Sequence, residues 1–214
     1  MPVRILIADD HAVVAEGLQH VVAADPAFEV VGRAGDGREA VSRAIELEPD
    51  IVVMDMAMPE MNGIEATRAI HDRIPRTRVI MLSMYSNPEY VYRALQAGAS
   101  GFVVKRSAAR ELVDAIRAVH AGRHYFSAQV AERVIGRYVG TPAPGDPLRL
   151  LSAREREVLQ LLAESKSVAD IAGILHVSPK TVETYRARLY EKLGLHDLPG
   201  LVRFAIQHGV TSLE

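Results

Sequence analysis

The 214-residue chain contains no cysteine. That excludes disulfides, thiolate metal sites and a cysteine nucleophile, so any metal must sit on oxygen or imidazole ligands. Also missing is a run of about 18 apolar residues long enough to span a bilayer. Met1-Pro2-Val3-Arg4-Ile5 leads straight into a strand pattern, without the charged and apolar stretches of a signal peptide. The reading is therefore a cytoplasmic protein with no membrane partner. Nor is there an excess of charge of one sign: 25 basic residues stand against 27 acidic ones. By segment the counts are 14 against 17 for residues 1–124, 2 against 2 for 125–147, and 9 against 8 for 148–214. Overall charge thus does not announce a nucleic-acid partner, and such a reading must rest on where individual charges stand.

What remains is ordinary for globular protein, with 49% hydrophobic and 24% charged residues and a length that suits two modest domains. The first half is organised around Ile51-Val52-Val53-Met54-Asp55, an uninterrupted apolar run ending on one carboxylate and followed by a turn at Pro59. Such a run fits a strand covered on both faces, as parallel strands are. A second run, Ile5-Leu6-Ile7-Ala8, ends on Asp9-Asp10; a third, Val79-Ile80-Met81-Leu82, on Ser83; and Gly101-Phe102-Val103-Val104 on Lys105. Glu29 to Gly32 reads as one more short strand. Helical spacing fills the intervals: Val13 to Val22, Arg38 to Leu47, Gly63 to Ile74, Pro88 to Ala97 and Ala109 to Ala121. Five strands alternating with five helices predict an α/β fold, a doubly wound five-stranded parallel sheet over residues 1–124.

In such a sheet all these strand ends meet at one edge, where ligands bind. Three clustered carboxylates without a soft ligand call for a hard divalent cation, and Mg²⁺ suits them because it keeps positions open for water or phosphate. A lysine and a hydroxyl beside the cation suit a phosphoryl group. The roles that follow are Asp55 as nucleophile, Lys105 with Mg²⁺ neutralising phosphoryl oxygens, and Ser83 donating a hydrogen bond to one of them.

Residues 1–124 resemble a response-regulator receiver domain along their whole length. The resemblance implies that Asp55 is the phosphoacceptor, that Asp9, Asp10, Asp55 and the backbone carbonyl of Ala57 surround Mg²⁺, and that Ser83 and Phe102 are the switch pair. On phosphorylation Phe102 is then expected to pack inward behind Ser83. Ala57, which offers no polar side chain, and the bulky Met84 depart from the commoner pattern. A phosphohydrolase of the haloacid-dehalogenase kind also uses a strand-end aspartate with Mg²⁺, but needs a second aspartate two residues on, where this chain has Ala57.

Residues 125–147 read as a connector. Tyr125 to Val139 carries a helical stripe of Val130, Val134, Ile135 and Tyr138, and Gly140-Thr141-Pro142-Ala143-Pro144-Gly145-Asp146-Pro147 breaks any helix and reads as a linker. Residues 148–214 form a separate all-α four-helix domain. Ser152 to Glu155 has the form of a capping box ahead of Val158, Leu159, Leu161 and Leu162. Val168, Ile171, Ala172 and Leu175 mark a second helix, Ser178-Pro179 opens a third, and Leu198, Leu201, Val202, Ala205 and Ile206 mark a fourth. The second and third are three residues apart, which is helix-turn-helix spacing. At 100° per residue Val182, Arg186, Leu189 and Leu193 share the core side of the third helix, with Tyr185 at its edge. Lys180, Glu183, Thr184, Ala187, Arg188 and Glu191 take the other side. Glu183, Thr184, Ala187 and Arg188 are then candidates for base edges, and Lys180 for phosphate.

Leu151 to Leu159, Val177 to Tyr185 and Lys192-Leu193-Gly194 are similar to the LuxR-type DNA-binding domain, with Ser165 standing where glycine is usual and Val168-Ala169-Asp170 where a more polar start is usual. The resemblance implies that Lys180, Thr181, Glu183, Thr184, Ala187 and Arg188 meet DNA and that part of the last helix forms a dimer contact. Together the halves resemble a NarL/FixJ-type response regulator: not an enzyme, but a receiver phosphorylated by a sensor histidine kinase that governs dimerisation and promoter binding.

Overall fold

The structure is a computed structural model that describes residues 1–84, 88–128, 130–131 and 147–211. The chain divides into two compact units, Met1–Thr141 and Pro142–Glu214. No helix among the described residues is long and apolar enough to cross a membrane.

The first unit alternates β1 (Val3–Ala8), α1 (Ala12–Ala23), β2 (Phe28–Ala34), α2 (Gly37–Leu47), β3 (Ile51–Asp55), α3 (Gly63–Arg73), β4 (Arg78–Ser83), α4 (Pro88–Gln96), β5 (Gly101–Val104), α5 (Ala108–His120) and β6 (Tyr125–Phe126). The sheet is parallel throughout, in the order β2-β1-β3-β4-β5-β6. Alternate residues of each strand feed two cores. Leu6, Val52, Met54, Val79 and Met81 pack with apolar residues of α2, α3 and α4. Ile5, Ile7, Ile51, Val53, Ile80 and Leu82 pack with α1 and α5. Burial on both faces explains why β3 carries no polar residue before Asp55. The helix starts are fixed locally: Asp36 accepts from the Glu39 N–H and Asn62 from the Glu65 N–H.

The sheet departs from the sequence reading at its end, with six strands instead of five. Tyr125 and Phe126, expected to open a helix, instead pair in parallel with Gly101 and Phe102 of β5. The Tyr125 N–H donates to the Ser100 carbonyl (3.3 Å) and the Ser127 N–H to the Phe102 carbonyl (3.0 Å). An open edge of β5 offers those acceptors, and pairing satisfies them. Helical hydrogen bonding begins only after Ser127, whose carbonyl accepts from Val130 and Ala131. Of the expected stripe, Val130 is fully buried; Val134, Ile135, Tyr138 and the linker up to Asp146 lie outside the described residues.

In the second unit α6 (Ala153–Ala163), α7 (Val168–Leu175), α8 (Pro179–Leu193) and α9 (Leu198–Gln207) close around Val158, Leu159, Leu161, Ile171, Leu175, Val182, Leu189 and Leu201. Ser152 and Glu155 form the expected capping box on α6. A second box, Ser167 with Asp170, opens α7 and gives the Val168-Ala169-Asp170 start its own polar cap. Ser165, just past α6, has φ 61°, the left-handed region, which is the backbone reason glycine is the commoner residue there.

Candidate functional site

The carboxyl edge of the first sheet collects the expected groups. Asp9 follows β1, Asp55 ends β3, Ser83 ends β4, and Lys105 follows β5 in a short 3₁₀ turn. Register brings them together: Asp55 stands opposite Leu82, and Ser83 opposite Val104, the residue before Lys105. The Lys105 Nζ lies 2.8 Å from Asp9 Oδ2 and 2.9 Å from Asp55 Oδ2. Asp9, Asp55 and Ser83 are each about 3% exposed, and Asp10 is half-buried.

One ammonium therefore sits between two buried carboxylates, and the setting shows in the titration of Asp55 and of Lys105. Burial, the largest cause, raises the Asp55 carboxyl from 3.8 to about 6; the nearby Lys105 charge opposes it, and Asp9 and Asp10 add to it. For Lys105, burial acts downward but is outweighed by attraction to Asp55 and Asp9, so its ammonium titrates above the usual range and stays charged.

The oxygen set also fits a hard cation. Carboxylate oxygens of Asp9, Asp10 and Asp55, together with a nitrogen of His11, lie within 4.8 Å of one another. Asp9 Oδ2 is buried against the Lys105 ammonium, which takes one of its lone pairs and leaves another for an ion. Ala57 is exposed in the loop after β3. A cleft of about 430 Å³ opens beside Asp9 and Asp10 and runs past Gly35 to Arg33, Glu39 and Arg43.

Two glycines hold that loop. A Cβ on Gly63 would fall 2.0 Å from the Asp55 carbonyl oxygen, and one on Gly37 would fall 2.1 Å from the Met61 carbonyl oxygen. Both approaches are backbone on backbone, so any other residue would displace the segment that carries Asp55. Thr67, fully buried, donates to the Gly63 carbonyl (2.6 Å) and secures the start of α3. Sequence reasoning placed Gly63 in this loop without its reason, and missed Gly37, Thr67 and His11. Phe102 is already in the core at 1% exposure, so the expected inward movement has no outward starting point here. Met84 is 51% exposed.

The link from β5 to the following segment is close. The Val104 N–H donates to Ser127 Oγ (3.2 Å), the Ser127 hydroxyl donates to Glu111 of α5, and Tyr125 Oη donates to the same carboxylate (3.4 Å). The residue before Lys105 is thus tied to the chain that leaves the sheet.

In the second unit α7 and α8 are separated by His176, Val177 and Ser178, with His176 at φ 53° making the sharp turn. Ser178 accepts from the Thr181 N–H, and Pro179 sits at the first helical position. Val182 and Leu189 are fully buried; Lys180, Glu183, Thr184, Ala187, Arg188 and Glu191 are all exposed, and Thr181 is half-buried. Arg186, assigned by angle to the core side, is only half-buried and instead pairs with Glu183 at 2.8 Å. A long arginine side chain can start on the core side of a helix and still carry its guanidinium to water. The far end of α8 is anchored by Lys192, whose Nζ lies 2.7 and 2.9 Å from the two oxygens of the buried Glu155. The four exposed base-reading candidates therefore stand on a helix fixed at both ends.

Comparison with known proteins agrees across both units. The response regulator receiver domain matches residues 5–117, and the LuxR family of bacterial regulatory proteins matches residues 149–205. The chain is 36% identical over 208 residues to the response regulator GacA of Pseudomonas viridiflava, covering 97% of each. It is 37% identical over 210 residues to the oxygen regulatory protein NreC of Staphylococcus aureus, covering 95% of this chain and 97% of that one. Among solved structures, a LuxR-family two-component response regulator from Aurantimonas matches with a TM-score of 0.63 at 39% identity, covering 65% of this chain and 99% of that one. The RcsB–DNA complex matches with a TM-score of 0.60 at 25% identity, covering 97% of this chain and 99% of that one.

Proposed function

This chain belongs to the two-component response regulators with a LuxR-type DNA-binding domain, and from that premise we propose that phosphorylation of Asp55 by a sensor histidine kinase controls its dimerisation and promoter binding. Both families are of regulators, and the rival phosphohydrolase reading lacks its acid–base aspartate at Ala57. The observation that carries the proposal is the Lys105 ammonium held between Asp9 and Asp55 at a buried strand edge.

With its carboxyl at about 6, Asp55 is mostly ionised at neutral pH and able to attack phosphorus. A new O–P bond forms as the P–N bond of the phosphohistidine donor breaks, and the imidazole leaves with a proton from solvent. Lys105 is placed to balance charge on the phosphoryl oxygens, and the Ser83 hydroxyl is the donor on the neighbouring strand. Asp9, Asp10, Asp55 and the Ala57 carbonyl would hold Mg²⁺, which supplies further positive charge at those oxygens. The phosphoryl group brings about −1.5 to −2 of charge. Ser83 and Lys105 shift toward it, and β5 carries the shift to the segment after Ser127.

On the DNA side, Lys180 takes phosphate and Thr181 flanks it, while Glu183, Thr184, Ala187 and Arg188 face base edges. Residues 148–214 carry only 9 basic against 8 acidic groups, so one copy binds weakly and two copies on paired half-sites bind tightly. The fold shared with RcsB, whose DNA complex is solved, supports this placement. Labelling with acetyl phosphate and Mg²⁺ tests the first step: Asp55→Asn abolishes it, and label that persists in the variant refutes the assignment. Sizing and gel-shift measurements on the phosphorylated protein test the second, which fails if neither state nor affinity changes.

A further inference from the structure

We infer that His11 is a positioning residue that holds the Asp9–Asp10 pair in the orientation needed for a divalent cation, an inference that rests on the phosphoacceptor reading of this pocket. The His11 backbone N–H donates to Asp9 Oδ1 at 3.0 Å. Its ring Nδ1 lies 2.8 Å from Asp10 Oδ1 and 3.5 Å from Asp9 Oδ1. An ionised carboxylate only accepts, so Nδ1 carries the hydrogen and donates to Asp10. One residue therefore occupies an oxygen of each aspartate. What it leaves over are the Oδ2 atoms, of which that of Asp9 is buried and faces the Lys105 ammonium at 2.8 Å.

Asp10 shows why the ring matters. Its side chain is 18% exposed, so without the imidazole nothing among the described contacts fixes its rotamer. A cation would then have to order that carboxylate as it binds. His11 itself is 62% exposed at its side chain and makes no capping bond to α1, for which it is the N-cap residue. Its ring is therefore placed to act on Asp10 and not on the fold. With Nδ1 turned to Asp10 that nitrogen is spent on orienting a ligand; whether Nε2 joins the ligand set is what the Ni²⁺ titration decides.

Calorimetric titration of the full chain with Mg²⁺ tests this with three variants. Asn places an amide N–H where Nδ1 stands, whereas Gln moves it one bond further and Ala removes it. His11→Ala and His11→Gln weaken Mg²⁺ binding about tenfold; His11→Asn binds like wild type. Titration with Ni²⁺, which favours imidazole, loses no more than Mg²⁺ does in His11→Ala. The inference is overturned if Ala binds as wild type, if Asn is as weak as Ala, if Ni²⁺ binding falls further than Mg²⁺ binding, or if wild type binds no Mg²⁺. Acetyl phosphate labelling of wild type, run in parallel, separates the two readings. The expected Mg²⁺ pattern without label refutes the phosphoacceptor alone, and label without the pattern refutes the role of His11 alone.

Discussion

Burying Asp55 has a measurable thermodynamic consequence. In the unfolded chain its carboxyl titrates near 3.8, and in the folded protein at about 6, because burial disfavours its charge more than Lys105 favours it. The folded state thus holds this proton more tightly than the unfolded state. Stability from this group is present at low pH and is lost as pH rises from about 4 through about 6. Above that window the charged Asp55 destabilises the receiver unit by about 3 kcal/mol. Asp55→Asn removes the charge and keeps the shape, while Lys105 retains Asp9 at 2.8 Å. In a metal-free buffer at pH 7.5 the variant is therefore expected to be more stable than wild type by about 3 kcal/mol, which raises the melting temperature of this unit by roughly 10 °C. At pH 5 the gap falls to about half, because wild type is then largely protonated. Mg²⁺ narrows the gap at pH 7.5 by stabilising wild type more than the variant. Differential scanning calorimetry of both proteins under these three conditions is the assay. An Asn variant no more stable than wild type at pH 7.5, or a gap that is the same at both pH values, would refute the reasoning.

Further expectations concern the loop and the second unit. Gly63→Ala puts a Cβ 2.0 Å from the Asp55 carbonyl oxygen, so the loop must move and the rate of labelling by acetyl phosphate drops; an unchanged rate contradicts the loop's role. Glu155→Ala removes a capping box and the anchor to Lys192, and costs about 2 kcal/mol in the melting of residues 148–214, half of it from a partly screened ion pair. Burial acts upward on the Glu155 carboxyl, but hydrogen bonds from Lys192 and Ser152 prevail and hold it below the usual range. This contribution is present above about pH 4.5 and disappears as pH falls below it, so the variant's deficit shrinks in acid. Ser165→Gly relieves φ 61° and adds about 0.5–1 kcal/mol to the same transition. In selection on randomised operators, Lys180→Ala weakens all sequences alike and flattens the salt dependence by about one unit of slope. Glu183→Ala or Arg188→Ala relaxes one base position per half-site by about 1–3 kcal/mol, and an unchanged motif in both would place the wrong face on DNA.

Much of this protein was written locally in its sequence. Period-two burial merged into continuous apolar runs because both sheet faces are covered, so the strands through Lys105 and the edge their ends share were legible from spacing alone. The Ser152–Glu155 box and Ser178-Pro179 marked helix starts, and 100° periodicity sorted α8 correctly at Val182 and Leu189, because each depends on neighbours within a turn or two. Where a long side chain could reach both core and water, the same rule misassigned Arg186. Tyr125–Phe126 escaped for a different reason: two residues carry no period, and what makes them a strand is the open edge of β5, more than twenty residues earlier. Lys192 with Glu155, Gly37 against Met61 and Ser127 with Val104 are likewise pairs distant in sequence. Local pattern decides which way a residue faces. Only the packed backbone decides what it meets there, and so set the burial that raises Asp55 and the Glu155 anchor at the end of α8.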